Sequence, residues 1–295
     1  MKKNPALGRT VLLATTLIWG TSFVIMKNTL DSVSTLYILA IRFTIAAILM
    51  SAFAIKFVGI EQLKKIDKGY LIGGGLMGIT LFVSYIFQTY GLVYTTPGKN
   101  AFLTSSYCIL TPFELWIINR RKPAVRNFIA AAVCLVGIGF ISLDNDLSFN
   151  IGDLLTLISG VFFALQIIAI ENFAGGKNAA TITAIQFIVF ALAAWIAALI
   201  FEPFPKNVPT GALLSLLYLG VMCTAVCFFL QTFGQQHTPP AQAAILMTFE
   251  SVFGTIFSVL FYHEKMTVKL ILGFALMFAA VILSEVDFKE LRRKK

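Results

Sequence analysis

Ten stretches of this chain carry few charges for about 20 residues each. They are 9–29, 35–58, 69–90, 97–118, 125–143, 151–171, 181–201, 210–233, 239–262 and 268–286. A helix needs about 20 mostly apolar residues to cross the hydrocarbon of a bilayer. Lipid cannot bond an open backbone, so only helices and closed barrels cross it. These runs are too long and continuous for the alternating strands of a barrel. The expected fold class is an all-α membrane protein of ten transmembrane helices. Composition agrees: 58% of the 295 residues are hydrophobic and 13% charged, where a soluble domain carries about a quarter charged residues. The opening "MKKNPALGRTVLLATTLIWG" has a basic lead and an apolar centre. It lacks a small-x-small cleavage site and reads as a first span.

The basic residues orient the bundle. Ten spans put both termini on one side, and that side collects 17 Lys and Arg against 5 on the other. The expectation is a multi-pass protein of the cell inner (plasma) membrane with both termini cytoplasmic. The same asymmetry accounts for the net charge of +9 without nucleic acid. The partner of the basic tail "KELRRKK" is then the lipid bilayer.

The chain repeats itself. "QTYGLVYTTPGKNAFL" (88–103) and "QTFGQQHTPPAQAAIL" (231–246) are offset by 143 and agree at seven of sixteen positions. "AIRF" at 40–43 faces "AIQF" at 184–187 at an offset of 144. Each copy holds five spans, an odd number, so the second lies upside down relative to the first. The domains expected are two inverted five-helix repeats, 1–146 and 147–295. In such proteins the solute site lies near the bilayer midplane between the halves.

Polar residues mark the faces that would meet there. Asn100, Thr104, Tyr107, Thr111 and Glu114 are spaced 4, 3, 4 and 3 on the fourth span, which aligns them on one helical face. At the 143 offset the ninth span presents Ala243, Met247, Glu250, Gly254 and Phe257. Thr15, Trp19, Ser22 and Met26 on the first span face Ser159, Phe163, Gln166 and Ile170 on the sixth. Glu250 lies at midspan, where an unpaired carboxylate is expensive. The candidate substrate-binding residues are Trp19, Ser22, Asn100, Thr104, Tyr107, Thr111, Phe163, Gln166, Met247 and Glu250, with Glu250 also the candidate for coupling. Hydroxyls and amides on these faces also suit simple bonding between helices. Gln88 and Gln231 suit either bonding across helices or a cavity rim. Arg42, on the second span, either snorkels outward or pairs with a carboxylate inside the bundle.

Other features exclude chemistry. Cys108, Cys134, Cys223 and Cys227 lie in apolar runs and read as small buried hydrophobes. No metal and no cofactor are expected: only His237 and His263 are present, both at span ends, with no H-E-x-x-H and no Walker motif. "GGGLMG" at 73–78 suits close helix approach, not phosphate binding.

"IWGTSFVIMKN", "AIRFTIAAIL" and the closing block from "PPAQAAILMTFESVFG" through "YHEKMTVKLILGFALMFAAVIL" resemble, in order, the EamA type within the drug/metabolite transporter superfamily. The closing block includes Glu250 and Glu264. Ser251 stands where the family often has Pro, and Arg121 stands at the first-repeat equivalent of Glu264. The resemblance implies a ten-helix, two-repeat carrier with a central cavity. It implies a secondary transporter, an exporter of small organic metabolites such as amino acids, working by alternating access. Two alternatives stay open: a proton-coupled drug or cation efflux carrier, and a passive uniporter or channel-like facilitator. An intramembrane enzyme lacks the clustered ligands it would need. The expected partners are a small organic solute and, in the coupled alternative, a proton.

Overall fold

The computed structural model describes residues 5–64, 66–120, 122–143, 150–238 and 240–285. Arg121, the 144–149 loop and the basic tail, on which part of the orientation reading rests, lie outside the described residues. The first half forms α1 (Pro5–Leu30), α2 (Thr35–Phe53) with a π-helical end (Ala54–Val58), the single turn α3 (Ile60–Leu63) and α4 (Lys68–Tyr94). It continues with α5 (Pro97–Thr104), α6 (Tyr107–Asn119) and α7 (Val125–Ser142). The second half forms α8 (Ile151–Phe173), α9 (Ala179–Phe201), α10 (Thr210–Tyr218), a π-helical stretch (Leu219–Val226) and α11 (Cys227–His237). It closes with α12 (Pro240–Phe261) and α13 (Val268–Glu285).

All ten apolar runs fold as helix. Among the described residues eight helical segments are long and apolar enough to cross a membrane, and Leu246–Phe261 and Val268–Ser284 form shorter apolar helices. Outward faces are aliphatic at helical spacing, as with Ile72, Leu76 and Ile79 on α4 and Leu192, Ile196 and Leu199 on α9. Such faces suit lipid, not water. The starts are written in the sequence. Asp67 accepts from the Tyr70 amide (2.9 Å) to open α4. Thr96 with Pro97 opens α5, Asn150 opens α8 and Asn178 opens α9, each a polar N-cap.

Besides the π-helical end of the second, two spans differ from the continuous helices expected. The fourth is broken at Ser105–Ser106 into α5 and α6. There Ser105 Oγ bonds the Phe102 carbonyl (2.6 Å), and the Ser106 and Cys108 amides bond three residues back, which tightens the turn out of α geometry. The eighth widens into the π-helical stretch, where Thr224 Oγ1 donates to the Leu219 carbonyl (2.7 Å) five residues back.

Helices α1 and α12 pack together, as do α4 and α8, α2 and α9, and α7 and α13. At one end of the bundle, charges bridge helix termini in the sense the helix dipole favours. Lys27 Nζ donates to the carbonyls of Leu92 (2.6 Å), Val93 (2.9 Å) and Thr95 (2.9 Å) at the end of α4. Glu202 accepts from the Leu36 amide at the start of α2 (2.9 Å) and from Tyr90 Oη (2.8 Å). Buried Asp153 accepts from Thr95 Oγ1 (2.5 Å) and pairs with Lys99 (3.4 Å). Glu264 accepts from Thr96, Ser258 and the Gly98 amide, which fastens the start of α5 to the end of α12. Among the described residues it forms no ion pair with the neighbouring His263 or Lys265; these inward donors, including a helix N-terminus, hold the carboxylate.

Candidate functional site

Helices α1, α4, α5, α6, α8, α11 and α12 converge on a cavity of about 30 Å³, room for a water or two. Its walls come in pairs from the two halves. Trp19 and Phe163 are 144 residues apart; Tyr85 and Phe228, Gln88 and Gln231, Thr104 and Met247, and Tyr107 and Glu250 are each 143 apart. Gln166 and Ile167 complete the wall. One contact recurs at the same offset. Gln88 Nε2 reaches Thr104 Oγ1 (3.0 Å), and Gln231 Nε2 reaches Met247 Sδ (3.8 Å).

Glu250 is the only charged side chain on this wall among the described residues. It is half-buried, its open side faces the cavity, and it has no hydrogen-bond or ion-pair partner among the described residues. Aromatic rings stand around it: Tyr85 lies 5.5 Å from Phe163, Tyr107 6.3 Å from Phe163 and Trp19 5.1 Å from Phe228. An unpartnered carboxylate on an aromatic-lined cavity suits an organic cation.

A family model described as the EamA-like transporter family matches residues 6–143 and again 150–285. The chain belongs to this family. It is therefore a multi-pass membrane protein of a transporter family. This EamA-family chain is 33% identical over 269 residues to an uncharacterized transporter of Archaeoglobus fulgidus, covering 90% of this chain and 82% of that relative. It is 26% identical to the uncharacterized transporter YoaV of Bacillus subtilis, covering 96% and 97%. A solved crystal structure, 16% identical, superposes with a TM-score of 0.70 over 94% of this chain and 96% of its own. That last likeness shows the fold alone.

Of the ten residues singled out in the sequence, Trp19, Thr104, Tyr107, Phe163, Gln166, Met247 and Glu250 border the cavity of this EamA-family protein. Ser22, Asn100 and Thr111 do not. The break at Ser105–Ser106 ends the straight face drawn from Asn100 to Glu114. Asn100 Nδ2 turns to Thr156 Oγ1 (2.7 Å) and the Gln88 carbonyl (3.2 Å). Thr111 Oγ1 bonds the Tyr107 carbonyl of its own helix (2.7 Å). Ser22 lies off the wall while Trp19, three residues earlier, is on it.

Tyr85, Phe228 and Ile167 line the cavity unforeseen, and Gln88 and Gln231 both border it and bond across helices. The offset of 143 that joins Tyr107 to Glu250 also joins Tyr85 to Phe228, a signal available in the sequence.

Arg42 neither snorkels nor pairs with a carboxylate. It is 1% exposed and held by neutral acceptors: Thr224 Oγ1 (2.5 Å), Tyr85 Oη (3.3 Å) and the Cys223 carbonyl (3.4 Å). The π-helical stretch leaves that carbonyl open to side chains, and Trp19 Nε1 also donates to it (2.9 Å). The four cysteines form no disulfide and are buried.

Proposed function

We propose that this protein is a secondary carrier of a small organic solute bearing an ammonium group, with amino acids as the leading class. In this reading it consists of two inverted five-helix repeats, 1–146 and 147–295, that rock around the cavity, with export as the direction. The observation that carries it is Glu250, the one charged side chain among the described residues on the wall of an aromatic-lined cavity.

Helix packing supports the inverted repeat, since each pairing has a counterpart. α1 packs on α12 as α8 packs on α5 and α6. α4 packs on α8 as α11 packs on α1. α2 with α9 and α7 with α13 are their own counterparts. The five wall pairs at offsets of 143 and 144 support a site on the pseudo-twofold axis.

The cavity's size supports alternating access. Binding pockets for drug-sized ligands enclose about 300–1,000 Å³, and the present 30 Å³ holds no amino acid. Helices must part to admit one. The Glu264 clamp between α5 and α12 closes one end of the bundle and must open for passage there. A proton competing with the ammonium for Glu250 would couple solute movement to the proton gradient.

Counterflow in proteoliposomes tests the carrier reading. With an unlabelled amino acid substrate loaded inside, the labelled form outside is expected to accumulate transiently above equilibrium. Flux of an amino acid without such accumulation would favour a channel-like facilitator. Orientation has its own test. A cysteine at Asn207 is expected to react with an impermeant maleimide on intact cells, and one at Lys177 only after permeabilisation. The reverse pattern would overturn cytoplasmic termini.

A further inference from the structure

Arg42 stacks on Tyr85, Tyr85 and Glu250 line the same cavity, and Arg42 and Glu250 form no ion pair with each other. Buried charges in proteins are normally paired, because an uncompensated one carries its full desolvation penalty. Here the guanidinium, through Nε and Nη2, meets only neutral acceptors among the described residues. The carboxylate has no hydrogen-bond or ion-pair partner among them.

The groups next to Arg42 are themselves cavity walls. Tyr85 lines the cavity, accepts from Arg42 Nη2, and lies under the guanidinium with its ring centre 4.8 Å away. Trp19 lines the cavity and donates to the Cys223 carbonyl that Arg42 also uses. The two Nη2 bonds, 3.3 and 3.4 Å, are beyond the usual range for N–H···O and are the ones that give way most easily. Behind Arg42 the packing is firm: Phe43 stacks on Phe190 at 3.4 Å.

We propose that Arg42 is the second pole of the solute site, so that the cavity selects zwitterions. The solute's ammonium meets Glu250. Its carboxylate displaces Tyr85 from Arg42 and takes the guanidinium through the Nη1 and Nη2 nitrogens, the fork that suits a carboxylate. A solute of this kind fills the gap in an otherwise split ion pair. A plain amine satisfies Glu250 alone and leaves the cation without a counter-charge. A plain carboxylic acid gains Arg42 but faces the Glu250 charge. This assignment rests on the carrier reading above, and it adds Arg42 and Tyr85 as the residues that determine specificity.

The test is thermal stabilisation of the purified full chain. Leucine, valine, methionine and phenylalanine are each compared with the amine left when the carboxylate is removed. At least one amino acid is expected to bind about 10- to 100-fold more tightly than its amine, the worth of a hydrogen bond to a charged group. Arg42→Gln is expected to remove that preference while changing affinity for the amine far less. Arg42→Lys is expected to keep part of it, since the charge stays and the fork is lost. If amine and amino acid bind the wild type equally, the second pole is overturned and an ammonium site at Glu250 stands. If no amino acid and no amine binds, both readings fall. Should Arg42→Gln not fold, Arg42→Lys decides: an undiminished preference for the amino acid overturns the proposal, and a reduced one with the amine unaffected supports it.

Discussion

Glu250→Gln is expected to end transport of the native solute without unfolding the protein. Nothing in the described structure is held by this carboxylate: it has no hydrogen-bond or ion-pair partner there, and it opens on the cavity. Glutamine keeps the shape and cannot ionise, so it carries no charge-desolvation penalty in a poorly hydrated site. The melting temperature should therefore stay near that of wild type or rise. The solute loses a charge-assisted bond at the same time. That loss alone lowers affinity about 10- to 100-fold, and the rate below saturation falls at least as far. Removing the carboxylate also removes the group for which a proton and an ammonium would compete. If Glu250 couples transport to protons, wild-type rates vary between mildly acidic and mildly basic pH and the residual mutant rate does not. Paired proteoliposome assays on wild type and mutant measure both effects. A mutant with the wild-type rate and pH profile would make Glu250 structural and remove the basis for the proposed site.

The helices and the site differ in how far the sequence discloses them. The spans are legible because bilayer thickness imposes a length on every one, whatever its neighbours do. Glu250 is legible because a lone acid in an apolar run has few inexpensive explanations. The pairs Trp19 with Phe163 and Tyr107 with Glu250 are legible because duplication keeps register. Local irregularities are another matter. The break at Ser105–Ser106 lies where Ser106 packs against Gly160 of α8, so that a Cβ on Gly160 would come within 2.5 Å of Ser106 Oγ. A contact between residues more than fifty positions apart leaves no mark in the local pattern. The π-helical stretch Leu219–Val226 reads as ordinary apolar helix until Arg42 arrives from α2 to bond Thr224 and the Cys223 carbonyl. Arg42 shows the same limit: its sequence gives a cation inside a span, but its partners are neutral groups on other helices. Face spacing drawn on a straight helix therefore sets Thr104 and Tyr107 on the cavity wall, where they lie, and carries Asn100 and Thr111 onto a wall they do not reach.

Gly152→Leu is expected to prevent assembly of the bundle, and Gly152→Ala to weaken it severely. The helices α4 and α8 cross with Gly91 and Gly152 in contact. A Cβ on Gly152 would lie 2.6 Å from the Gly91 carbonyl oxygen, 2.8 Å from the Tyr94 carbonyl carbon and 2.9 Å from the Thr95 nitrogen. These are backbone atoms and cannot rotate aside as a side chain would. Overpacking of this kind costs about 1–3 kcal/mol, and more where no atom can yield. The crossing also carries polar contacts that open when the helices separate. Thr95 and Lys99 hold buried Asp153, and Asn100 holds Thr156. A buried carboxylate stripped of its partners adds about 3–5 kcal/mol. Farther along the same helices, Tyr85 and Gln88 on α4 face Phe163 and Gln166 on α8 across the cavity, so even a protein that survives the alanine should bind solute poorly. Gly75 is the control on α4, since a Cβ there meets nothing within 4 Å. Gly75→Ala should be neutral or stabilising by up to about 1 kcal/mol through helix propensity. Melting temperature and yield of monodisperse protein for the three variants measure the contrast. A Gly152→Ala protein as stable as Gly75→Ala would mean that α4 and α8 do not meet backbone to backbone, and the register that sets Gln88 and Tyr85 in the cavity wall would have to be abandoned with that contact.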